Sequence, residues 1–150
     1  RSYQVLRDGA WKDLATAGLH AGDWVRVKLE LDVPAWRHFV AITDVVPGGL
    51  VSRDITLSGV GGAQLRDLVD SGSWWFDSRQ TGANDVRLYA EQLPPGEHAV
   101  YYYAQAVHPG TYLAPPASAE LMYGRASRST TASARITFDA GAGRAQAGKH

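Results

Sequence analysis

Five histidines are the first residues to test for chemistry: His20, His38, His98, His108 and His150. A metal site needs ligands that are clustered or supported by neighbours, such as two histidines one helical turn apart. No two of these lie at such a spacing, so each reads as a surface or strand-face residue. Gly59, Gly61 and Gly62 resemble a phosphate-binding loop only superficially, because no lysine follows and no strand-to-helix unit surrounds them. Ser58-Gly59 sits in no nucleophile-elbow pattern. Asp44, Asp77 and Asp85 are spread through strands and turns, and nothing singles out an acid/base pair. The chain has no cysteine, which excludes thiolate metal sites, disulfides and cysteine nucleophiles. The expectation is a non-enzyme with no metal and no cofactor.

Aromatic clusters offer binding chemistry instead. Trp74-Trp75-Phe76 and Tyr101-Tyr102-Tyr103 contain rings enough for a sugar-stacking platform. Consecutive strand residues point to opposite faces, however, so each triplet divides between core and exterior. Tyr102 shares a face with Val100 and Ala104, which favours its burial. Tyr101 and Tyr103 share the other face and are the better surface candidates. A separate signal is Met122-Tyr123, which holds the chain's single methionine. It ends the proline-punctuated run "HPGTYLAPPASAELMYGR", before the polar "ASRSTTAS". A strand end packed in its own domain is one reading. The other is a cover for a partner's apolar pocket, since two neighbours in a regular strand cannot both point inward.

The elements that must position these residues are mostly strands. In "WVRVKLELDV", Val25, Val27, Leu29, Leu31 and Val33 share one face, while Arg26, Lys28, Glu30 and Asp32 share the other, as in a half-solvated strand. "WRHFVAITDVV" is richer in apolar residues on both faces, as a central strand would be. Pro47-Gly48 then suits the two central positions of a type II turn. Residues 52–72 are rich in glycine and lack a sustained period, predicting a long loop with one helical turn around 64–69. "SWWFDSRQ" and "DVRLYAEQL" form a hairpin across "TGAN", and "AVYYYAQAV" is a long aromatic strand. "TYLAPPASAELMY" is extended, because Pro115 and Pro116 remove backbone donors and restrict the residue before them. "TASARITF" makes a last strand, with Ala134, Ile136 and Phe138 on one face.

About seven strands separated by turn signals predict an all-β fold, an antiparallel β-sandwich. A chain of 150 residues is one domain's worth. The sandwich is expected over residues 22–139, preceded by an N-terminal segment or linker end at 1–21 and followed by a disordered tail at 140–150. Fifteen basic residues balance fifteen acidic ones, so the basic footprint of a nucleic-acid binder is missing. The longest apolar runs are too short to span a membrane. "RSYQVLRDGAWKD" lacks the apolar core of a secretory signal. Arg1 is not an initiator, and the chain is expected to be cut from something longer.

An ordered series of motifs carries a resemblance. "FVAITDVVPGGLVSRD" holds Asp44 followed by Pro47 and Gly49. Asp77 follows in a hairpin, then Pro94 and Gly96 in a Leu-Pro-x-Gly turn before the tyrosine-rich strand. Pro109-Gly110, Pro115-Pro116-Ala117 and Met122-Tyr123 come next, in that order. Each dipeptide alone is weak; the series, over residues 22–138, resembles the C-terminal domain of bacterial α2-macroglobulins.

The resemblance implies a macroglobulin-like (Ig/fibronectin-like) sandwich from a large periplasmic protein, one that is often tethered to the inner membrane. Such proteins trap proteases that cut an exposed bait region. Many also carry a Cys-x-Glu-Gln thioester in a separate helical domain, which the Met-Tyr motif of the last domain shields from water. Met122 and Tyr123 match that motif, with Pro115 and Pro116 as the segment that stiffens their approach. The partners it implies are upstream domains of the same parent and, through the parent, proteases. This chain, lacking cysteine, cannot itself hold the thioester. In members without one, the motif can act only as an interdomain lock. The rival expectation is a cell-surface or carbohydrate-binding sandwich using Trp74, Trp75 and Tyr103.

Overall fold

The computed structural model describes residues 1–55, 65, 75–123 and 127–139. Among them the chain runs through β1 (Ser2–Arg7), β2 (Ala10–Asp13), the one-turn helix α1 (Leu14–Ala17), β3 (Trp24–Val33), β4 (Arg37–Val45) and β5 (Leu50–Arg53). It continues through β6 (Ser78–Thr81), β7 (Asp85–Leu93), β8 (Gly96–Ala106), β9 (Gly110–Ala114), β10 (Ser118–Leu121), β11 (Arg128–Thr130) and β12 (Ala134–Phe138). One five-stranded sheet has the order β2-β1-β3-β8-β5 and the other β11-β10-β4-β7-β6, while β9 and β12 pair separately. Every strand pairing is antiparallel. The predicted antiparallel β-sandwich is the observed fold.

The core lies between the two large sheets. Val25, Val27, Leu29 and Val33 of β3 and Val100, Tyr102 and Ala104 of β8 meet Val40 and Ile42 of β4 and Val86, Leu88 and Ala90 of β7. Strict alternation explains the inward face of β3, where only Leu31 remains partly exposed. β3 and β8 pair along their full length, from Trp24↔Gln105 to Val33↔Gly96, so these two strands form the spine of their sheet. Ile136 and Phe138 of β12 add to the core, whereas Ala134 is exposed.

Several boundaries differ from expectation. Residues 1–21 belong to the sandwich: β1 pairs with β3 through Ser2↔Lys28 to Val5↔Val25, and Val5 and Leu19 are buried. The sequence hides this because β1 offers one fully buried side chain among partly buried ones, and its partner strand is distant in the chain. The turn after β4 is shifted by one residue. Leu50 N–H donates to the Pro47 carbonyl, so Gly48 and Gly49 occupy the centre and Gly49 takes the left-handed φ of 80°. A Cβ on Gly49 would collide with the Tyr112 and Phe138 rings. Ser52 and Arg53 are strand rather than loop. The rest of the expected loop and helical turn lies outside the described residues, apart from Asp54, Ile55 and the buried Leu65. The expected tail at 140–150 lies outside them as well.

Candidate functional site

The Met122-Tyr123 pair sits at the tip of a hairpin. β10 pairs with β4 from Ser118↔Thr43 to Leu121↔Val40, and the ladder continues by one more bond, Met122 N–H to the Phe39 carbonyl at 2.8 Å. On its other side β10 pairs with β11, and Leu121 N–H donates to the Ser127 carbonyl at 3.2 Å, closing the hairpin. The backbone before the tip is therefore held from both sides. Yet the side chains it delivers lie in water: Met122 is 48% exposed and Tyr123 69%. Both residues face outward, so neither fills this domain's own core. Tyr123 meets Phe39 edge to face, with ring centroids 5.4 Å apart and planes at 87°.

Phe39 is itself unusual. It lies within β4 but has a φ of 56°, and it is 46% exposed. A non-glycine residue held in the left-handed region costs about 1–3 kcal/mol and persists only where its surroundings impose it. Strand parity could have placed Phe39 outside, opposite to the buried Val40, Ile42 and Asp44. The positive φ and the pairing with Tyr123 leave no mark on the sequence.

Pro115 and Pro116 stand at the far end of β10. They link the β9–β12 pair to the β4 sheet; the next residue, Ala117, is buried, and its backbone exchanges hydrogen bonds with Thr131. The prolines thus set the entry of β10 rather than touching the Met-Tyr tip. Ala117 and the four residues of β10 separate the two.

The carboxylates turn out to be structural and separate. Asp44 is fully buried; Arg1 donates to it at 2.5 Å and the Tyr102 hydroxyl at 2.8 Å. Asp44 belongs to β4 and Tyr102 to β8, so this group ties the two sheets together across the core. Burial pushes the Asp44 carboxyl above its usual range, outweighing the opposing pull of Arg1 and the Tyr102 hydroxyl. The Tyr102 hydroxyl is raised well above its ordinary value, first by burial and then by the charge of Asp44. Asp77 extends the β6–β7 pairing by one residue, accepting from Glu91 N–H at 2.6 Å while its own N–H donates to the Tyr89 carbonyl at 2.8 Å. Asp85 pairs with Arg87 on the surface at 2.9 Å. His98 is buried and donates from Nε2 to the Pro94 carbonyl at 2.7 Å. No group of three potential metal ligands occurs among the described residues.

The rival reading, a sugar-stacking platform, finds no support among the described residues. Trp75 is buried and donates its indole N–H to the Ala99 carbonyl at 3.1 Å. Tyr103, expected at the surface, is buried beneath Trp11 of β2, with ring centroids 5.8 Å apart. Trp11 belongs to an N-terminal strand that sequence reasoning missed. Tyr101 stays partly exposed under the Arg26 guanidinium, 4.8 Å from its ring centre. Trp74, Ser58, Gly59, Gly61 and Gly62 lie outside the described residues. A cleft of about 420 Å³ does open between β3 and the β10–β11 hairpin. Leu31, Val33, Ile42 and Leu121 line it together with the charged Glu30, Asp32, Arg37 and Glu120, and no aromatic ring does so.

The sequence profile of the bacterial alpha-2-macroglobulin MG10 domain matches residues 1–124. The chain belongs to that family. Among solved structures, it resembles the trypsin-activated alpha-2-macroglobulin of Escherichia coli with a TM-score of 0.71 and 23% identity, covering 91% of this chain and 10% of that one. The native E. coli protein from domain MG7 to the C-terminus gives a TM-score of 0.67 and 23% identity over 91% of this chain and 22% of that one. The Salmonella alpha-2-macroglobulin reacted with methylamine gives 0.68 and 23% identity over 91% and 9%. The chain thus spans about a tenth of the length of two of these relatives and under a quarter of the third. At these identities the likeness shows a shared fold. No curated protein matches the chain.

As an MG10 domain, the chain uses much of its motif series for folding. Asp44 makes the buried ion pair, Gly49 the left-handed turn, and Asp77 the hairpin extension. Gly96 and Gly110 adopt positive φ at the starts of β8 and β9. Met122-Tyr123 stands apart, since both of its side chains are left exposed.

Proposed function

We propose that this MG10 domain is the C-terminal structural and regulatory domain of a periplasmic, protease-trapping alpha-2-macroglobulin, its parent. It packs on the neighbouring thioester-type domain through Met122 and Tyr123. Its part in trapping is non-enzymatic, and target proteases reach it only through the parent. The observation that carries the reading is the exposure of two apolar side chains at a hairpin tip whose backbone is bonded on both sides. An ordered backbone loses little freedom when its side chains dock, which favours affinity. A thioether and a phenol ring fill an irregular pocket well, and the Tyr123 hydroxyl can anchor to a partner group. Where the parent carries a thioester, such a cover excludes the water and amines that would consume it. Where it does not, the same contact holds the uncut arrangement of domains.

The test is binding in trans between this domain and its purified neighbour, compared with the double change Met122→Ala, Tyr123→Ala. The reading expects at least about a tenfold loss of affinity, as for truncation of central interface residues. In a thioester-bearing parent the same change is expected to speed consumption by a small amine. Unchanged affinity and unchanged amine reactivity would remove the lid and lock alike.

A further inference from the structure

The geometry points to Phe39 as the third member of the docking surface, and as the positioning residue that presets Tyr123. This inference rests on the docking reading above. One residue makes both connections to the tip. Its carbonyl accepts the Met122 N–H at 2.8 Å, and its ring stands edge to face against Tyr123 at 5.4 Å. The β4–β7 ladder pairs His38↔Gln92 and Val40↔Ala90 but omits Phe39, the position where φ turns to 56°.

A strand residue adopts that conformation at a cost, and Phe39 does not recover the cost by burial, because its ring is 46% exposed. Tyr123, 69% exposed, would otherwise sample several rotamers. An edge-to-face partner restricts those rotamers before docking, so less ordering remains when the partner arrives. The surface presented is then two aromatic rings and a thioether side by side. A complementary site is a dry apolar hollow wide enough for two rings, with one polar group at its edge for the Tyr123 hydroxyl. Clusters of exposed aromatic residues of this kind commonly carry most of an interface's energy.

Three variants of the 150-residue domain test this: Phe39→Ala, Phe39→Gly and Phe39→Leu, alongside Met122→Ala and Tyr123→Ala. The first readout is the order of the Tyr123 ring, followed by NMR relaxation of labelled tyrosine. Phe39→Ala is expected to free that ring while the midpoint of thermal unfolding stays near the parent value. Phe39→Gly, which tolerates the left-handed backbone, is expected to melt no lower than Phe39→Ala. The second readout is affinity for the neighbouring domain, expected to fall about tenfold in Phe39→Ala and less in Phe39→Leu. If Met122→Ala and Tyr123→Ala weaken docking but Phe39→Ala does not, the Phe39 role is overturned while the docking reading stands. If none of the three weakens docking, the docking reading fails and the inference with it. A Tyr123 ring equally ordered without Phe39 overturns the positioning role whatever the affinities. Should Phe39→Ala fail to fold, Phe39→Leu carries both readouts.

Discussion

Asp44 illustrates how a carboxylate that could have suggested acid/base chemistry serves the fold instead. Its charge is enclosed, and Arg1 and Tyr102 satisfy it from the opposite sheet. Burial dominates its titration and raises it above the ordinary carboxylate value of about 4. Between the unfolded and the raised value, the folded state therefore retains a proton that the unfolded chain has released. The stability contributed by this group is fully present below about pH 4 and is lost as pH rises through the raised value. Tyr102→Phe removes a donor to the carboxylate, and it is expected to cost about 1–3 kcal/mol at neutral pH. The cost should shrink in acid, where the protonated carboxyl needs that donor less. Urea unfolding at several pH values measures both slopes; a penalty that grows in acid would contradict the account. Gly49→Ala tests a second residue, because its φ of 80° and the rings above it exclude a methyl group. A loss of at least about 2 kcal/mol is expected, from left-handed strain and overpacking together.

Among the elements, β1 has the widest consequences. It extends the β3 sheet, buries Val5 and delivers Arg1 to Asp44. Removing Arg1 alone leaves a buried carboxylate without its cation, a change that costs about 3–5 kcal/mol when one partner of a buried pair is lost. Domains of this size are stable by only about 5–15 kcal/mol. A chain shortened to 22–139 is therefore expected to lose cooperative thermal unfolding and its near-ultraviolet circular dichroism. A shortened chain that melts like the intact domain would show that β1 and β2 are dispensable.

The same strands show what the sequence could reveal. β3 was legible because one face is core and the other solvent, which writes a period of two into the residues. β1 was not, since it buries only Val5 fully. β11 was missed too, as all three of its residues are exposed and no apolar pattern betrays it. Tyr103 was misplaced for a related reason: the ring packed against it is Trp11, from the other end of the chain. In the candidate site, motif order and composition singled out Met122 and Tyr123. Phe39 could not be found that way, because its role depends on a backbone angle and a cross-strand neighbour.

For the whole molecule, the proposed function has the hairpin tip finished outside this domain. Replacing Met122 and Tyr123 together with alanine should change the isolated domain's stability by less than about 1 kcal/mol, since neither is in the core. Truncating a core aromatic would cost about 3–5 kcal/mol instead. The most direct measurement uses Met122 itself, the only methionine in these 150 residues. Thioether oxidation by dilute peroxide follows exposure, and mass spectrometry of the peptide containing Met122 reads its rate. Rapid oxidation is expected in the isolated domain, strong protection in the uncut parent, and loss of that protection once a protease has cleaved the bait. Oxidation of Met122 at the same rate in the isolated domain and the uncut parent would contradict the proposed function.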